Sequence, residues 1–188
     1  MSPARKTLFS LGFAWGSFLL ASASSFSQDV ANRNAQGPMW SEEKWPFPID
    51  QWGNGQAFTC AADKCGGEVH LYLRAKIGFC RCATGVSDDD EIERVGDLEL
   101  IGTNYKPLAP GHAVTAGIMA GRARLFAVER SFASPMPILA IALAHKCDAI
   151  VATVMAKPDV QSVAEREAVD FLRNTTIQHW VEAQTGSE

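Results

Sequence analysis

The chain has 188 residues, of which 47% are apolar and 20% are charged, and its formal net charge at pH 7 is −4. This length fits one domain with a core large enough to fold without a metal or a partner subunit. The negative charge argues against nucleic acid and anionic membrane surfaces as partners, because both require an excess of Lys and Arg.

Residues 1–23 have the three-part layout of a secretory signal peptide. Arg5 and Lys6 precede an apolar run and then small residues, which predicts cleavage after Ala23 or after Ser27. The apolar run is shorter than the roughly 20 residues of a bilayer span, so we expect no stable membrane span after cleavage. Because Arg5 and Lys6 leave with the segment, the formal charge becomes −6. The expected product is an exported protein of the bacterial periplasm.

Polar and small residues over 24–37 predict a flexible lead-in to a single globular domain over 38–180. The domain opens on a segment with three prolines and the tryptophans Trp40, Trp45 and Trp52. Because proline lacks a backbone N–H, this segment is expected to be extended rather than a helix or a central strand. Its tryptophans either join the core or form a stacking surface for a small ligand or a partner protein.

Apolar and polar side chains alternate over residues 68–79, which predicts a half-buried strand with its odd-numbered side chains covered. The acidic run that follows predicts a short helix from Asp88 to Val95, because acidic residues in a first turn face the positive end of the helix dipole. A calcium loop of the helix–loop–helix type does not fit. Its sixth position needs glycine, and counting from Asp88 that position is Glu93.

The second half contains apolar runs over residues 113–119, 123–129, 138–144 and 149–155, which predict successive antiparallel strands. The polar break between the last two runs indicates a hairpin. Both of these runs are almost wholly apolar, so the two strands are expected in the middle of the sheet with both faces covered.

Ser162 and Glu165 form a capping box, which predicts a C-terminal helix from Val163 to Arg173 packed on the sheet. The residues from 181 to 188 are expected to be a disordered tail. The predicted fold is therefore α+β, an antiparallel sheet of five or six strands with a C-terminal helix packed on it and disulfides across it.

The five cysteines are Cys60, Cys65, Cys80, Cys82 and Cys147. Export to an oxidising compartment makes disulfides the first expectation. Cys80 and Cys82 would lie about 6.6 Å apart along a strand, near the upper limit for a relaxed bridge, so each is expected to pair elsewhere. In one layout Cys60 pairs with Cys65, and Cys147 pairs with Cys80 or Cys82. In the other, Cys60 and Cys65 pair with Cys80 and Cys82.

Two other interpretations of these cysteines remain open. Cys60, Cys65, Cys80 and Cys82 are suitable ligands for a four-thiolate zinc site or for cuprous copper, although the one-residue gap is unusual for zinc. A thiol-redox couple is the other interpretation, because Arg81 supplies positive charge next to two thiols.

No catalytic residue is predicted, since the sequence lacks the patterns of a nucleophile elbow, a phosphate loop or a zinc protease. The candidate partner-binding residues are the aromatic side chains Trp40, Trp45 and Trp52 and the strand residues Arg122 and Arg124. The first functional hypothesis is a non-enzymatic binding or accessory protein without a cofactor, and its partner is a periplasmic protein or a small ligand. The second is a copper-handling or thiol-redox protein that uses the cysteines.

The segments "WPFPIDQWGNGQAF", "YLRAKIGFCRC" and "GVSDDDEIERVGDLEL" resemble a group of uncharacterised exported bacterial proteins of similar length. This resemblance covers most of the mature chain and implies no particular activity. A strand meander that ends in a capped helix also resembles the PsbP-like domains, and that resemblance implies an accessory or assembly role.

Overall fold

The computed structural model describes residues 39–79, 81–130 and 133–185. The predicted signal peptide over 1–23 and the lead-in over 24–37 lie outside the described residues, and so does Cys80.

An antiparallel sheet of eight strands forms the centre of the fold. In chain order the strands are β1 (Trp40–Glu43), β2 (Gln56–Cys60), β3 (Val69–Lys76), β4 (Asn104–Pro107), β5 (His112–Ala116), β6 (Met119–Arg130), β7 (Ala133–His145) and β8 (Asp148–Ala156). They lie in the order β1-β2-β3-β8-β7-β6-β4, and β5 pairs with β6 beyond the end of β4.

Within the described residues, four helices accompany the sheet: α1 (Ala62–Cys65), α2 (Asp89–Val95), α3 (Gln161–Leu172) and α4 (Thr175–Thr185). A 3-10 turn over Leu98–Leu100 follows α2, and another over Pro158–Val160 precedes α3. In the part of the chain that the structure describes, none of the helices is both long enough and apolar enough to cross a membrane.

The central strands β7 and β8 are covered on both faces, as their continuous apolar sequence predicts. Leu139, Ile141 and Leu143 of β7 join the core that α3 and α4 complete. Ile138 and Ala140, which alternate with them along β7, join the core that α2 completes on the other face of the sheet. Because successive side chains of a strand point to opposite faces, a continuous apolar run supplies both cores at once. Burial of each of these Leu or Ile side chains stabilises the folded state by roughly 1.5–3 kcal/mol relative to leaving it exposed.

The α+β class, the antiparallel sheet and the C-terminal packing helix are confirmed, but the strand count is eight rather than five or six. The additional strands are β1, β2 and β4, each of four or five residues, whereas β5 matches the start of the predicted run over 113–119. Prolines flank β1 and stand within β4, and both strands lie at a sheet edge, where a strand can leave a backbone N–H unpaired. The prolines therefore concealed two real edge strands.

The predicted start of the acidic helix is confirmed, because the Asp88 carboxylate accepts a hydrogen bond from the Glu91 N–H at 2.8 Å. The predicted capping box of the later helix is wrong. A 3-10 turn leads directly into α3 at Gln161, and no side chain caps that helix. The chain is also helical to Thr185, with Val181 fully buried, so residues 181–185 are not a disordered tail. Burial of an apolar face stabilises α4 despite its polar end.

Two disulfides are formed, Cys60–Cys65 and Cys82–Cys147. They match the first predicted layout, with Cys82 as the partner of Cys147. Such bridges are consistent with an extracellular or periplasmic protein. By the loop-entropy relation, the short loop of the first adds about 2 kcal/mol and the long loop of the second about 4 kcal/mol.

Candidate functional site

A cavity of about 450 Å³ opens on the α2 side of the sheet, beside the end of β3. The chain between β1 and β2 forms one wall, and α2 with the 3-10 turn after it forms another. The side chains used in the argument below are Phe47, Asp50, Trp52, Arg74, Lys76, Phe79, Arg94 and Asp97.

Two cations of β3 form the floor of the cavity. Arg74 and Lys76 are two residues apart in a strand, so both point to the α2 side while the odd-numbered residues enter the other core. Their register partners on β8 are the apolar residues Val151 and Ala149. The two charged groups are therefore held above an apolar surface and depend on other segments for their partners.

Asp97, just after α2, is the common partner of both cations. Arg74 donates from Nε and Nη2 to the two Asp97 carboxylate oxygens, at 2.9 and 2.6 Å. Lys76 Nζ lies 2.7 Å from Asp97 Oδ1 and donates to the Val95 carbonyl at 2.8 Å. All three side chains are at least 95% buried. Burial of charged groups at this depth is tolerated only where each has ion-pair and hydrogen-bond partners, as these three do.

Asp50 connects the N-terminal wall to the same network. Both of its carboxylate oxygens accept from Arg74 Nη1, at 2.8 and 2.7 Å, and one also accepts from the Trp52 N–H. Desolvation alone would raise the pKa of Asp50, but the hydrogen bonds from Arg74 and Trp52 outweigh it and hold the pKa below its ordinary value of 3.8. The network thus fixes Trp52 at the cavity.

Aromatic rings line the cavity around these cations. The Trp52 and Phe79 rings lie 4.6 Å apart in a tilted arrangement, and the Lys76 ammonium is 5.4 Å from each centroid. The Arg94 guanidinium lies 4.8 Å from the centre of Phe79. These are cation–π distances, so the faces of the rings already have cationic partners within the protein.

The structure separates the three predicted tryptophans. Trp40 is buried in the α3-side core against Phe171, with ring centroids 5.0 Å apart. Trp45 packs edge-on against Phe47 and lies 5.8 Å from the Arg74 guanidinium. Trp52 reaches the cavity wall. Trp40 thus belongs to the core, one of the two predicted uses, while Trp52 lines the cavity and its use as a binding surface stays a prediction.

Arg122 and Arg124 lie away from the cavity and connect α2 to β6. Arg122 donates from Nε to Asp89 at 2.9 Å and from Nη2 to the Gly111 carbonyl at 2.6 Å. Arg124 donates from Nη1 to Glu93 at 2.5 Å. With these partners the two arginines position α2, and hence the cavity wall that α2 carries.

The cysteines give no support to the predicted four-thiolate site. Disulfides occupy three of its four sulfurs, those of Cys60, Cys65 and Cys82. Over residues 39–79, 81–130 and 133–185, no three His, Cys, Asp or Glu side chains form a group that could hold a metal ion.

The main cavity residues, Arg74, Lys76, Arg94 and Asp97, were not among the predicted site residues. A signal was present, because Arg74 and Lys76 alternate with apolar residues and therefore share one strand face. Their acidic partner lies 21 residues beyond Lys76 and follows a helix, so sequence spacing alone could not join them.

Comparison of the chain with protein-family models, with curated proteins and with solved structures found no match. The functional argument therefore depends on the geometry of the site.

Proposed function

We propose that this chain is an exported, non-enzymatic binding protein of the periplasm that holds a small ligand in the cavity above Arg74 and Lys76. The observation that carries the proposal is the buried charged network at the floor of an aromatic-lined cavity. Buried ion pairs contribute little net stability compared with apolar residues of the same volume. Buried charges that line a cleft are therefore better explained by recognition of a ligand.

The size of the cavity supports a small-molecule ligand. Its volume of about 450 Å³ falls within the roughly 300–1,000 Å³ of typical ligand pockets. Apolar rings together with a few fixed polar groups are also the usual composition of such pockets. The two disulfides and the signal-peptide layout of residues 1–23 support export to the periplasm.

The lining favours binding over covalent catalysis. Among the described residues that line the cavity there is no Ser, Thr, Cys or His. The Asp50 and Asp97 carboxylates are both held in ion pairs with Arg74. Lys76 is paired as well, so a free nucleophile with an adjacent base is not provided there.

The test is a thermal-shift screen of small acids, bases and neutral molecules with two tryptophan variants. Gln51 is exposed at the cavity, so Gln51→Trp should obstruct it without disturbing the core. Gln184 is exposed on α4, at the other face of the sheet, and Gln184→Trp is the matched control. We expect ligands that stabilise the wild type and Gln184→Trp but not Gln51→Trp. If every stabilising compound acts equally on both variants, the cavity is not the binding site.

A further inference from the structure

At the floor of the cavity the hydrogen-bonding capacity that remains belongs to donors, and the third carboxylate of the lining, that of the exposed Glu99, accepts from the Tyr105 hydroxyl at 3.3 Å. Both oxygens of Asp50 and both oxygens of Asp97 already accept hydrogen bonds from Arg74. The Lys76 ammonium has three N–H groups; within the described structure it donates a hydrogen bond to the Val95 carbonyl, and its ion-pair partner Asp97 Oδ1 lies 2.7 Å away. A ligand that meets this floor therefore finds N–H donors and needs acceptor atoms.

Arg94 adds further donors at the side of the cavity. Its Nη2 donates to the Phe79 carbonyl at 3.0 Å and to Glu91 at 2.6 Å. These bonds orient the guanidinium over the Phe79 ring and use one of its three nitrogens. The side chain is 43% exposed, so its other nitrogens can approach a ligand from the solvent side.

The aromatic walls favour an anion over a cation. Ring faces attract cations, but the faces of Trp52 and Phe79 are already approached by Lys76 and Arg94. The lining as a whole also carries the carboxylates of Asp50, Asp97 and Glu99, but the charges at cation–π distance from these two rings are those of Lys76 and Arg94. A cationic ligand stacked at the rings would therefore meet two positive charges at close range, whereas an anionic one would be attracted by both. The apolar parts of Phe47, Trp52 and Phe79 remain available to pack against a flat ring.

Building on the proposed function, we infer that the ligand is a small organic acid with a flat aromatic ring. The carboxylate lies on the Lys76 and Arg94 donors, and the ring lies between Phe47 and the Trp52–Phe79 pair. Charge-assisted hydrogen bonds set the preference for an acid. The rings set the preference for an aromatic body.

Four probes of nearly equal size test this inference by titration calorimetry: phenylacetate, phenylacetamide, phenethylamine and cyclohexylacetate. The first three differ in charge on the same ring, and the fourth keeps the acid but replaces the flat ring. We expect phenylacetate to bind about tenfold or more tightly than phenylacetamide, since a hydrogen bond to a charged group is stronger than a neutral one. We expect weaker binding of cyclohexylacetate and the weakest binding of phenethylamine.

Arg94→Gln should lower the affinity for phenylacetate by about tenfold and leave that for phenylacetamide nearly unchanged. Arg81→Gln is the matched control, because Arg81 also pairs with Glu91, at 2.8 Å, but does not line the cavity. Both arginines are substantially exposed, so the variants are expected to fold, and a circular dichroism spectrum checks this.

Two results would overturn the inference while leaving the proposed function intact. In the first, phenylacetamide or phenethylamine binds at least as tightly as phenylacetate, and this binding is lost in Gln51→Trp. The other is an equal loss of acid affinity in both arginine variants. Absence of binding by all four probes would also refute this ligand class, and the library screen described above then decides whether the cavity binds another class. Acid binding that persists in Gln51→Trp would place the acid outside the cavity and refute the inference.

Discussion

Substitution of Asp97 by Asn should destabilise the fold far more than the same change at Asp50, although both carboxylates bind Arg74. The Asp97 side chain is about 96% buried, accepts two hydrogen bonds from Arg74 and lies 2.7 Å from Lys76 Nζ in an ion pair. Asp97→Asn leaves Arg74 with Asp50 as its ion-pair partner and leaves the buried Lys76 ammonium with no carboxylate partner among the described residues. Breaking a buried pair by removal of one partner costs about 3–5 kcal/mol, a large share of the roughly 5–15 kcal/mol that stabilises a typical domain.

Asp50→Asn is the matched control because the Asp50 side chain is 42% exposed. Water can replace part of what the carboxylate supplied, and Arg74 keeps its bidentate partner, so a loss of about 1 kcal/mol or less is expected. Urea unfolding of both variants and the wild type measures the difference, with equal m-values as the check that the transitions are comparable. If the two variants lose stability by the same amount, the burial of the network does not determine its energetics.

Three further results are expected. The Gly111 N–H, together with Arg122, holds the pKa of Asp89 below 3.8, so the stability that Asp89 adds is complete above that pH and is lost as pH falls through the lower folded-state pKa. Asp89→Asn should therefore flatten the fall of stability below pH 3.8, and an unchanged acid limb would contradict this. Mild reductant should reduce the Cys82–Cys147 disulfide before the buried Cys60–Cys65 disulfide, because Cys82 is exposed. Peptide mapping after alkylation shows the order of reduction. Loss of the Cys82–Cys147 disulfide should lower the free energy of unfolding by about 4 kcal/mol. In Gly121→Ala the new Cβ would collide with the Ala142 carbonyl oxygen of the adjacent strand, which should cost roughly 1–3 kcal/mol in a thermal melt. A melt like that of the wild type would show that the strands can separate there without strain.

Local patterns were sufficient for the elements that bury much apolar surface. The alternation along β3 identified that strand, and the continuous apolar runs of β7 and β8 identified both strands and their place in the middle of the sheet. The short strands β1, β2 and β4 were not identified, because each is defined by pairing with a neighbouring strand rather than by a pattern in its own four or five residues. Edge positions accept prolines, and proline is the strongest local argument against a strand.

The cavity could not be assembled from the sequence for a related reason. Trp52 was a candidate, but its partner ring Phe79 comes from the turn after β3 and its cationic neighbour from β3 itself. Asp97 follows a helix whose acidic residues predicted only the start of that helix, so nothing in the pattern marked Asp97 as a partner of β3. The site is formed by contacts between segments that are distant in the sequence, and residue spacing does not predict such contacts.

The arrangement of the sheet edges affects how this protein behaves at high concentration. One edge is the four-residue β1. The other is divided between β4 and β5, with Pro107 and Pro110 in and after β4. An exposed row of unpaired N–H and C=O groups is a template on which a second chain can add a strand, and short, interrupted, proline-bearing edges offer few such groups in line. The long β6, β7 and β8 are thereby kept from acting as a template for aggregation, although β7 and β8 are the most apolar strands of the sheet.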